Sequence, residues 1–308
     1  CCVDTLHRVT ITGLEKNTTY FYRVLSQEVK ELLPYRPVLG NIVSTDIWEK
    51  PLTFTTLDGR QETLSIVMIN DIHGKNDLQK KLLEMAPPQN VDMVVFCGDM
   101  CNYINKQSDI FTGFLDTSVG LFASRKPFVY VRGNHETRGA YARNFFRYLA
   151  GPEGKFYYAF TYGPIRFIVL DSGEDKPDTD VEYSGLVDFD NYILEQKEWL
   201  ARELESPEFR AASFRVVLSH IPFGKGSWYG SERLRKQLLP LLESVRIDLM
   251  LSGHNHAFGF MDKGKVTAFP IIVNSNNSVL TMFGSKDLLK VQVKQIDGKV
   301  LLEKEFSK

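Results

Sequence analysis

Five of the six histidines fall in four short motifs, each following directly on an apolar run of strand length. These are Asp71-Ile72-His73, Gly133-Asn134-His135-Glu136, Ser219-His220 and Gly253-His254-Asn255-His256, with Gly98-Asp99 between the first two. Residues this far apart in the chain can act together only if the strands before them lie side by side and end at one edge, which is where open α/β sheets form their sites. Strand ends also hold short ligands on a rigid frame while leaving the loops free to shape a pocket. A lone histidine is usually a hydrogen-bonded structural residue, and His7 is read that way. Five in this pattern, with carboxylates among them, form the donor set of a borderline or hard metal ion.

From Leu64 onward buried strands alternate with amphipathic stretches, which predicts α/β layers. Strands are expected over 64–70, 91–96, 127–131, 156–161, 165–170, 214–218 and 248–251, and helices over 78–85, 110–122, 192–204 and 233–242. The remainder, 271–302, reads mostly as strand. Ahead of this region, 8–14 and 17–24 alternate apolar and polar residues around a turn and predict two antiparallel strands, followed by a third run at 52–56. The polar stretch Leu57-Asp58-Gly59-Arg60 divides the chain into 1–58, a partial all-β domain read as a packing appendage without chemistry, and 59–308, the α/β domain.

At 308 residues and 43% hydrophobic content the chain can fill a substantial core. Its net charge of −1, with Lys and Arg scattered, leaves no basic stripe for nucleic acid or an anionic membrane. No apolar run approaches about 18 residues, so no transmembrane helix is expected. Cys1, Cys2, Cys97 and Cys101 are too few for a disulfide framework in a chain of this size. Cys97 is expected to be a small buried hydrophobe and Cys101 a packing residue rather than a ligand. The start, without Met or a signal-like apolar region, reads as a processed or trimmed product; Cys1-Cys2 leave a surface or lipid tether open.

On an extended chain Asp71 and His73 share a face and can grip one ion, a device repeated by His254 and His256. Asp99 has two oxygens and follows a Gly turn, which suits a bridge between ions about 3.5–4 Å apart. Asn134 adds a neutral oxygen. One ion is therefore assigned Asp71, His73, Asp99 and His256, the other Asp99, Asn134, His220 and His254, with a hydroxide between them. Two cations sharing a hydroxide activate it and neutralise phosphate oxygens during in-line attack. His135 is left over to protonate the leaving alcohol, and Glu136 to support the ligands by hydrogen bonds. The pattern predicts hydrolysis of a phosphoester, with two ions drawn from Fe, Zn or Mn, among which this N/O donor set does not choose.

Arg138, Asn134, Trp228 and Tyr229 are the candidate substrate contacts. Arg138 suits a phosphate fork, and the glycine-rich loop 221–230, with Lys225, Trp228 and Tyr229, suits an aromatic wall. Seven acidic residues and one lysine between Glu174 and Asp190 read as a long, solvated loop rather than a lid.

At these residues the chain resembles the calcineurin-like metallophosphoesterase superfamily, whose pattern is D-x-H, G-D-x-x-D, G-N-H-[DE], a later H, and G-H-x-H. The resemblance runs from about Leu64 to the end and implies a two-sheet αββα sandwich, the same ligand split and the acid role of His135. The β region in front, similar to the later strands of a fibronectin type III or immunoglobulin-like sandwich, looks like the arrangement of purple acid phosphatases, and Gly133-Asn134-His135-Glu136 fits that branch. Two departures stand out. Purple acid phosphatases carry D-x-G and G-D-x-x-Y; here His73 is present, and position 102 is Asn. Tyr103 is one position too far to be the iron-binding tyrosine, so no tyrosinate–iron colour is expected. Asn102 also replaces the carboxylate that other branches pair with the catalytic histidine, so His135 is expected to lack that anionic partner.

The expected activity is phosphomonoester hydrolysis on a small phosphoester, in an extracytoplasmic setting suggested by the β domain. The alternatives are a phosphodiesterase or nucleotidase using the same centre, and a non-catalytic metal-binding scaffold.

Overall fold

A computed structural model describes residues 4–57, 61–224 and 226–308. The boundary expected between 58 and 59, the Cys1-Cys2 pair and Lys225 lie outside the described residues. Two compact units are present: one holds the described residues up to 57 with Ser124–Lys126, the other 61–123 and 127–308.

In the first unit, β1 (Thr19–Tyr22), β2 (Leu25–Glu31), β3 (Val38–Ser44) and β4 (Leu52–Thr55) form two antiparallel pairs, β1 with β4 and β2 with β3. Phe54 stacks on Tyr20 with ring centroids 5.7 Å apart and meets Tyr22 edge-on. The strand expected over 8–14 does not form. Alternation specifies a strand only when one face is buried and a neighbour completes the ladder, and here Val9 is 82% exposed. β2 and β3 carry no such alternation and are almost wholly exposed; only their pairing defines them.

The second unit contains two six-stranded sheets. Its elements are β5 (Leu64–Ile69), α1 (Asn76–Met85), β6 (Met93–Cys97), β7 (Phe128–Val131), β8 (Tyr158–Tyr162), β9 (Ile165–Leu170), α2 (Phe189–Leu204), β10 (Phe214–Ser219), α3 (Tyr229–Gln237), α4 (Leu239–Glu243) and β11 (Leu249–Ser252). Five further strands end the chain: β12 (Gly259–Met261), β13 (Ile271–Val273), β14 (Ser278–Gly284), β15 (Leu288–Gln295) and β16 (Val300–Ser307). One sheet has the order β16-β15-β14-β5-β6-β7, the other β12-β13-β11-β10-β9-β8. β5, β6 and β7 are parallel, as are β9, β10, β11 and β13.

Because strand side chains alternate, each sheet has two apolar faces to cover. Ile66, Met68, Val95, Phe167, Val216 and Leu251 meet between the sheets. Val67, Ile69, Val94 and Phe96 turn outward under α1 and the helical stretch 107–123, through Leu82, Phe114 and Phe122. Ile168, Val217 and Met250 turn the other way, under Ile193, Leu200, Leu234 and Leu242 of the later helices. The layering is the expected αββα sandwich. The helix expected over 233–242 starts earlier and divides into α3 and α4, since Pro240 has no N–H to continue the turn before it.

Candidate metal centre

Every expected ligand follows a parallel strand. Asp71 and His73 follow β5, Asp99 follows β6, Asn134 follows β7, His220 follows β10, and His254 and His256 follow β11. The two sheets thus contribute from both sides to one edge.

Local backbone conformation does not match the extended chain expected at these motifs. Asp71, His73, Asp99, His254 and His256 all have positive φ, between 50° and 73°. Non-glycine residues pay about 1–3 kcal/mol for this region, and Asp and His tolerate it better than most. The distortion is held by the two loops pairing with each other: Asp71 N–H donates to Gly98 O at 3.0 Å, His73 N–H to Asp99 O at 2.9 Å and Gly74 N–H to Met100 O at 2.8 Å. Alternation along a strand is therefore not what brings Asp71 and His73 together.

The side chains converge nonetheless. Asp71 Oδ1 lies 3.2 Å from His256 Nε2 and 3.9 Å from His73 Nε2, and the two Nε2 atoms are 3.0 Å apart. Asp99 Oδ2 lies 3.1 Å from His220 Nε2 and 4.0 Å from His73 Nε2 and from His135 Nε2. Asp71, His73 and His256 form one group whose ligand atoms lie within 4.8 Å of one another; Asp99, His220 and His254 form a second, and His73, Asp99 and His135 a third. Asn134 is buried with its Oδ1 3.2 Å from His254 Nδ1.

Each of these groups is oriented by bonds from behind. Asp71 Oδ2 accepts from Asn70 Nδ2 at 2.5 Å and from the His254 N–H at 2.9 Å, which turns Oδ1 inward. His220 Nδ1–H donates to Cys97 O at 2.7 Å, presenting Nε2. Glu136 is wholly buried and accepts from the N–H groups of Asp99, Gly133 and Cys101, each at 2.9 Å, so one carboxylate ties two ligand loops together.

The buried Asp71 Oδ1 and His220 Nε2 lie 3.2 and 3.1 Å from other candidate ligands but make no well-directed hydrogen bond, and the buried His254 Nε2 has no partner either. Buried polar atoms are ordinarily satisfied; the Asp71 oxygen and the His220 nitrogen, close to other donors, fit divalent or trivalent cations, and His254 approaches a fellow candidate ligand through Nδ1. Burial alone would lower the His220 imidazole, but Asp99 and Asp71 outweigh it and push it up to about 10. Burial alone would raise Asp99, but His220 and His135 hold it below the usual carboxylate range. His254 is pushed down to about 4 by burial and by His220. Glu136 is pushed up to about 7 by burial and by Asp99. A cation at His220 thus takes the place of a proton.

The outer residues depart further from expectation. Arg138 is not a free fork: Nε and NH2 each donate to Glu174 at 2.9 Å, NH2 also reaches Asp175 at 3.1 Å, and only NH1 remains, 3.3 Å from His135 Nε2. His135 Nδ1–H donates to the Asn102 carbonyl at 2.8 Å, a backbone acceptor where a carboxylate was missing from the motif. Trp228 does stand at the site, edge-on to His254 at 4.9 Å and 54% exposed. Tyr229 does not; its hydroxyl donates to Asp190 at 2.9 Å, and Arg233 lies over its ring. Tyr103 is largely exposed.

The acidic stretch 174–190 is the expected loop, exposed over much of its middle, but its two ends are anchored rather than solvated. Glu174 is buried and also accepts from Thr137 and Tyr183, while Asp190 pairs with the buried Arg233 at 3.0 Å. Its partners come from distant segments, so composition alone could not reveal them. The pair Arg132–Asp171, at 2.6 Å, was also missed: Arg132 precedes Gly133, Asp171 follows β9, and Phe156 covers the guanidinium at 4.4 Å. The only signal for it was adjacency to a motif and to a strand end.

The family model of the calcineurin-like phosphoesterases matches residues 64–258, which hold every ligand candidate. The chain belongs to this family. Among curated relatives, this calcineurin-like phosphoesterase is 24% identical over 273 residues to purple acid phosphatase 22 of Arabidopsis thaliana, covering 82% of the chain and 53% of the relative. It is also 24% identical over 295 residues to a purple acid phosphatase of Glycine max, covering 87% and 55%. The chain spans about half the length of these curated relatives. Its fold is shared with the purple acid phosphatase PPD1 from yellow lupin seeds (TM-score 0.68, 16% identity, 96% of this chain and 61% of that one). A dimetal phosphatase from Danio rerio aligns with TM-score 0.55 and 15% identity, over 79% of this chain and 98% of that one. The resemblance to the purple acid phosphatase branch is thereby upheld, and the donor groups suit the dinuclear centre of this family.

Proposed function

We propose that the chain is a metal-dependent phosphomonoesterase. The observation that carries this reading is the convergence of Asp71, His73, Asp99, His220, His254 and His256 at one sheet edge, with buried inward oxygen and nitrogen atoms left for cations. Asp71, His73 and His256 would hold one ion, Asn134, His220 and His254 the other, and Asp99 both. When bound, the two ions supply Lewis acidity that activates water and neutralises phosphoryl oxygens. Their identity is to be sought among Fe, Zn and Mn.

The remaining work belongs to side chains around the ester. His135, anchored through Nδ1 on the Asn102 carbonyl, offers Nε2 for proton exchange with the leaving oxygen. Arg138 NH1 stands beside that atom and offers an N–H to the same oxygen. Asn134 adds an amide to the phosphoryl oxygens, and Trp228 walls the other side. Tyr229 acts at one remove, holding Asp190 and Arg233.

The deciding experiment is metal analysis with an ester panel, nitrophenyl phosphate against bis-nitrophenyl phosphate, with Asp99→Ala and His135→Ala as controls. Monoester turnover that follows metal content and disappears in Asp99→Ala supports the reading. Preference for the diester would move it to a phosphodiesterase, and metal-loaded protein inert on every ester would move it to a binding scaffold.

We infer further that the N-terminal unit, with its paired antiparallel strands and Tyr20–Phe54 stack, is part of a fibronectin type III-like domain and that the chain works outside the cytoplasm. Cell fractionation checks this setting; recovery with membranes would indicate a tether. Among the described residues no helix is long and apolar enough to cross a membrane.

A further inference from the structure

A cavity of about 900 Å³ opens against Thr137 and Arg138, the residues that follow the His135 motif; His135 itself is not in its wall. It shares Arg138 with the candidate centre, because NH1 of that residue is 3.3 Å from His135 Nε2. We propose that this cavity receives the leaving group of the ester, and that it selects leaving groups built on an uncharged ring. The proposal rests on the hydrolase reading above and names the substrate class of the same site.

Size, charge and surface together point to that class. A volume of about 900 Å³ is at the upper end of small-molecule pockets, roughly 300–1,000 Å³, so a small polyol would leave most of it filled with water. Three arginines line it, Arg132, Arg138 and Arg143, but so do the carboxylates of Glu174, Glu182 and Asp188. Arg132 is already paired with Asp171 and Arg138 with Glu174. A polyanionic leaving group would therefore meet as much negative charge as positive. Much of the remaining wall is apolar or aromatic, with Ala142, Val187, Phe189 and Tyr192 and, at its exposed side, Leu186. An aromatic ring buries about 150–250 Å² and gains from edge or offset contacts with Phe and Tyr, which an alkyl diol does not.

The wall is built in place. Glu174 fixes Arg138 on one side, and Tyr183 donates its hydroxyl to Glu174 at 2.9 Å, anchoring the segment that carries Leu186 and Val187. The Asp180 side chain accepts the Glu182 N–H at 2.9 Å, and Lys176 pairs with Glu182. Selection thus comes from a shaped surface rather than a free loop.

The test uses metal-loaded protein and two phosphonates that cannot be hydrolysed, phenylphosphonate and methylphosphonate, with binding measured by calorimetry. Phenylphosphonate should bind about tenfold more tightly or better. Ala140→Trp, at the exposed rim, and separately Val187→Trp should bring the ratio close to one while methylphosphonate binding stays within about twofold. A ratio near one in the unaltered protein, or a ratio that survives both substitutions, overturns the proposal. Turnover of nitrophenyl phosphate is measured in parallel. Selective binding without turnover strikes only the hydrolase reading, and turnover without selective binding strikes only the pocket.

Discussion

Arg138 NH1 lies 3.3 Å from His135 Nε2 while the rest of the guanidinium is held by Glu174. A guanidinium can only donate, so it meets this imidazole nitrogen as an acceptor, and the proposed mechanism gives both residues the same leaving oxygen. His135→Ala should lower kcat/KM by about 10²–10⁴ and Arg138→Ala by about 10–10². Their double variant should fall well short of the product of the two, as groups acting as a unit do. Steady-state kinetics on one monoester decides it; fully multiplicative losses would show that the residues act apart.

Glu136 accepts three backbone N–H groups from two ligand loops. Glu136→Ala leaves those buried donors without partners, each at a cost of about 1–3 kcal/mol. The variant should unfold at clearly lower denaturant and bind metal more weakly, although Glu136 is not itself among the proposed ligands. Glu136→Gln keeps one acceptor oxygen and should lose less. Equal midpoints for wild type and the Ala variant would contradict the latch.

Glu174 supplies a pH dependence whose sign can be worked out. Burial raises its carboxyl, but hydrogen bonds from Arg138 and Thr137 prevail and hold it below its ordinary 4.5. A depressed carboxyl stabilises the fold above its unfolded pKa, and that contribution fades as pH falls through the lower folded value. Without Arg138 the carboxyl loses the largest of the contacts that lower it, and its pKa rises toward or above the unfolded value. In chelator-stripped protein, the stability gap between wild type and Arg138→Ala should therefore be larger at pH 7 than near pH 3.5. Urea unfolding at the two pH values measures it; a gap that widens in acid refutes the assignment.

Metal content should follow the proposed ligands. Wild type should take up two ions, His220→Ala and Asp99→Ala fewer, and chelation should lower the melting temperature because ions that bind only the folded chain stabilise it. Iron-loaded protein should lack the strong visible band of a tyrosinate ligand, since Tyr103 is turned largely to solvent. A band that disappears in Tyr103→Phe would place that residue on the metal.

How much of this could be read from the chain divides along a physical line. Motifs at the ends of apolar runs carried the layered fold, the candidate ligands and their common edge, because strand periodicity and donor chemistry are local properties. β5 through β7 and β9 through β11 lie close to where periodicity put them. Local pattern failed where a partner from elsewhere decides the outcome. The run 8–14 alternates yet forms no strand, whereas β2 barely alternates and pairs with β3.

The site divides in the same way. Residue types at Asp71, His73, Asp99, Asn134, His220, His254 and His256 were evident as a donor set from the sequence by itself. Only the tertiary structure decided that left-handed backbone, rather than an extended strand, brings Asp71 and His73 together. It also turned Arg138 toward His135 and Tyr229 toward Asp190, and tied Glu174 and Asp190, the two ends of the otherwise exposed acidic stretch, to Arg138 and Arg233. These outcomes depend on Glu174, Arg233 and Asp171 meeting partners tens of residues away, and electrostatic pairing of that range leaves no periodic trace in a chain.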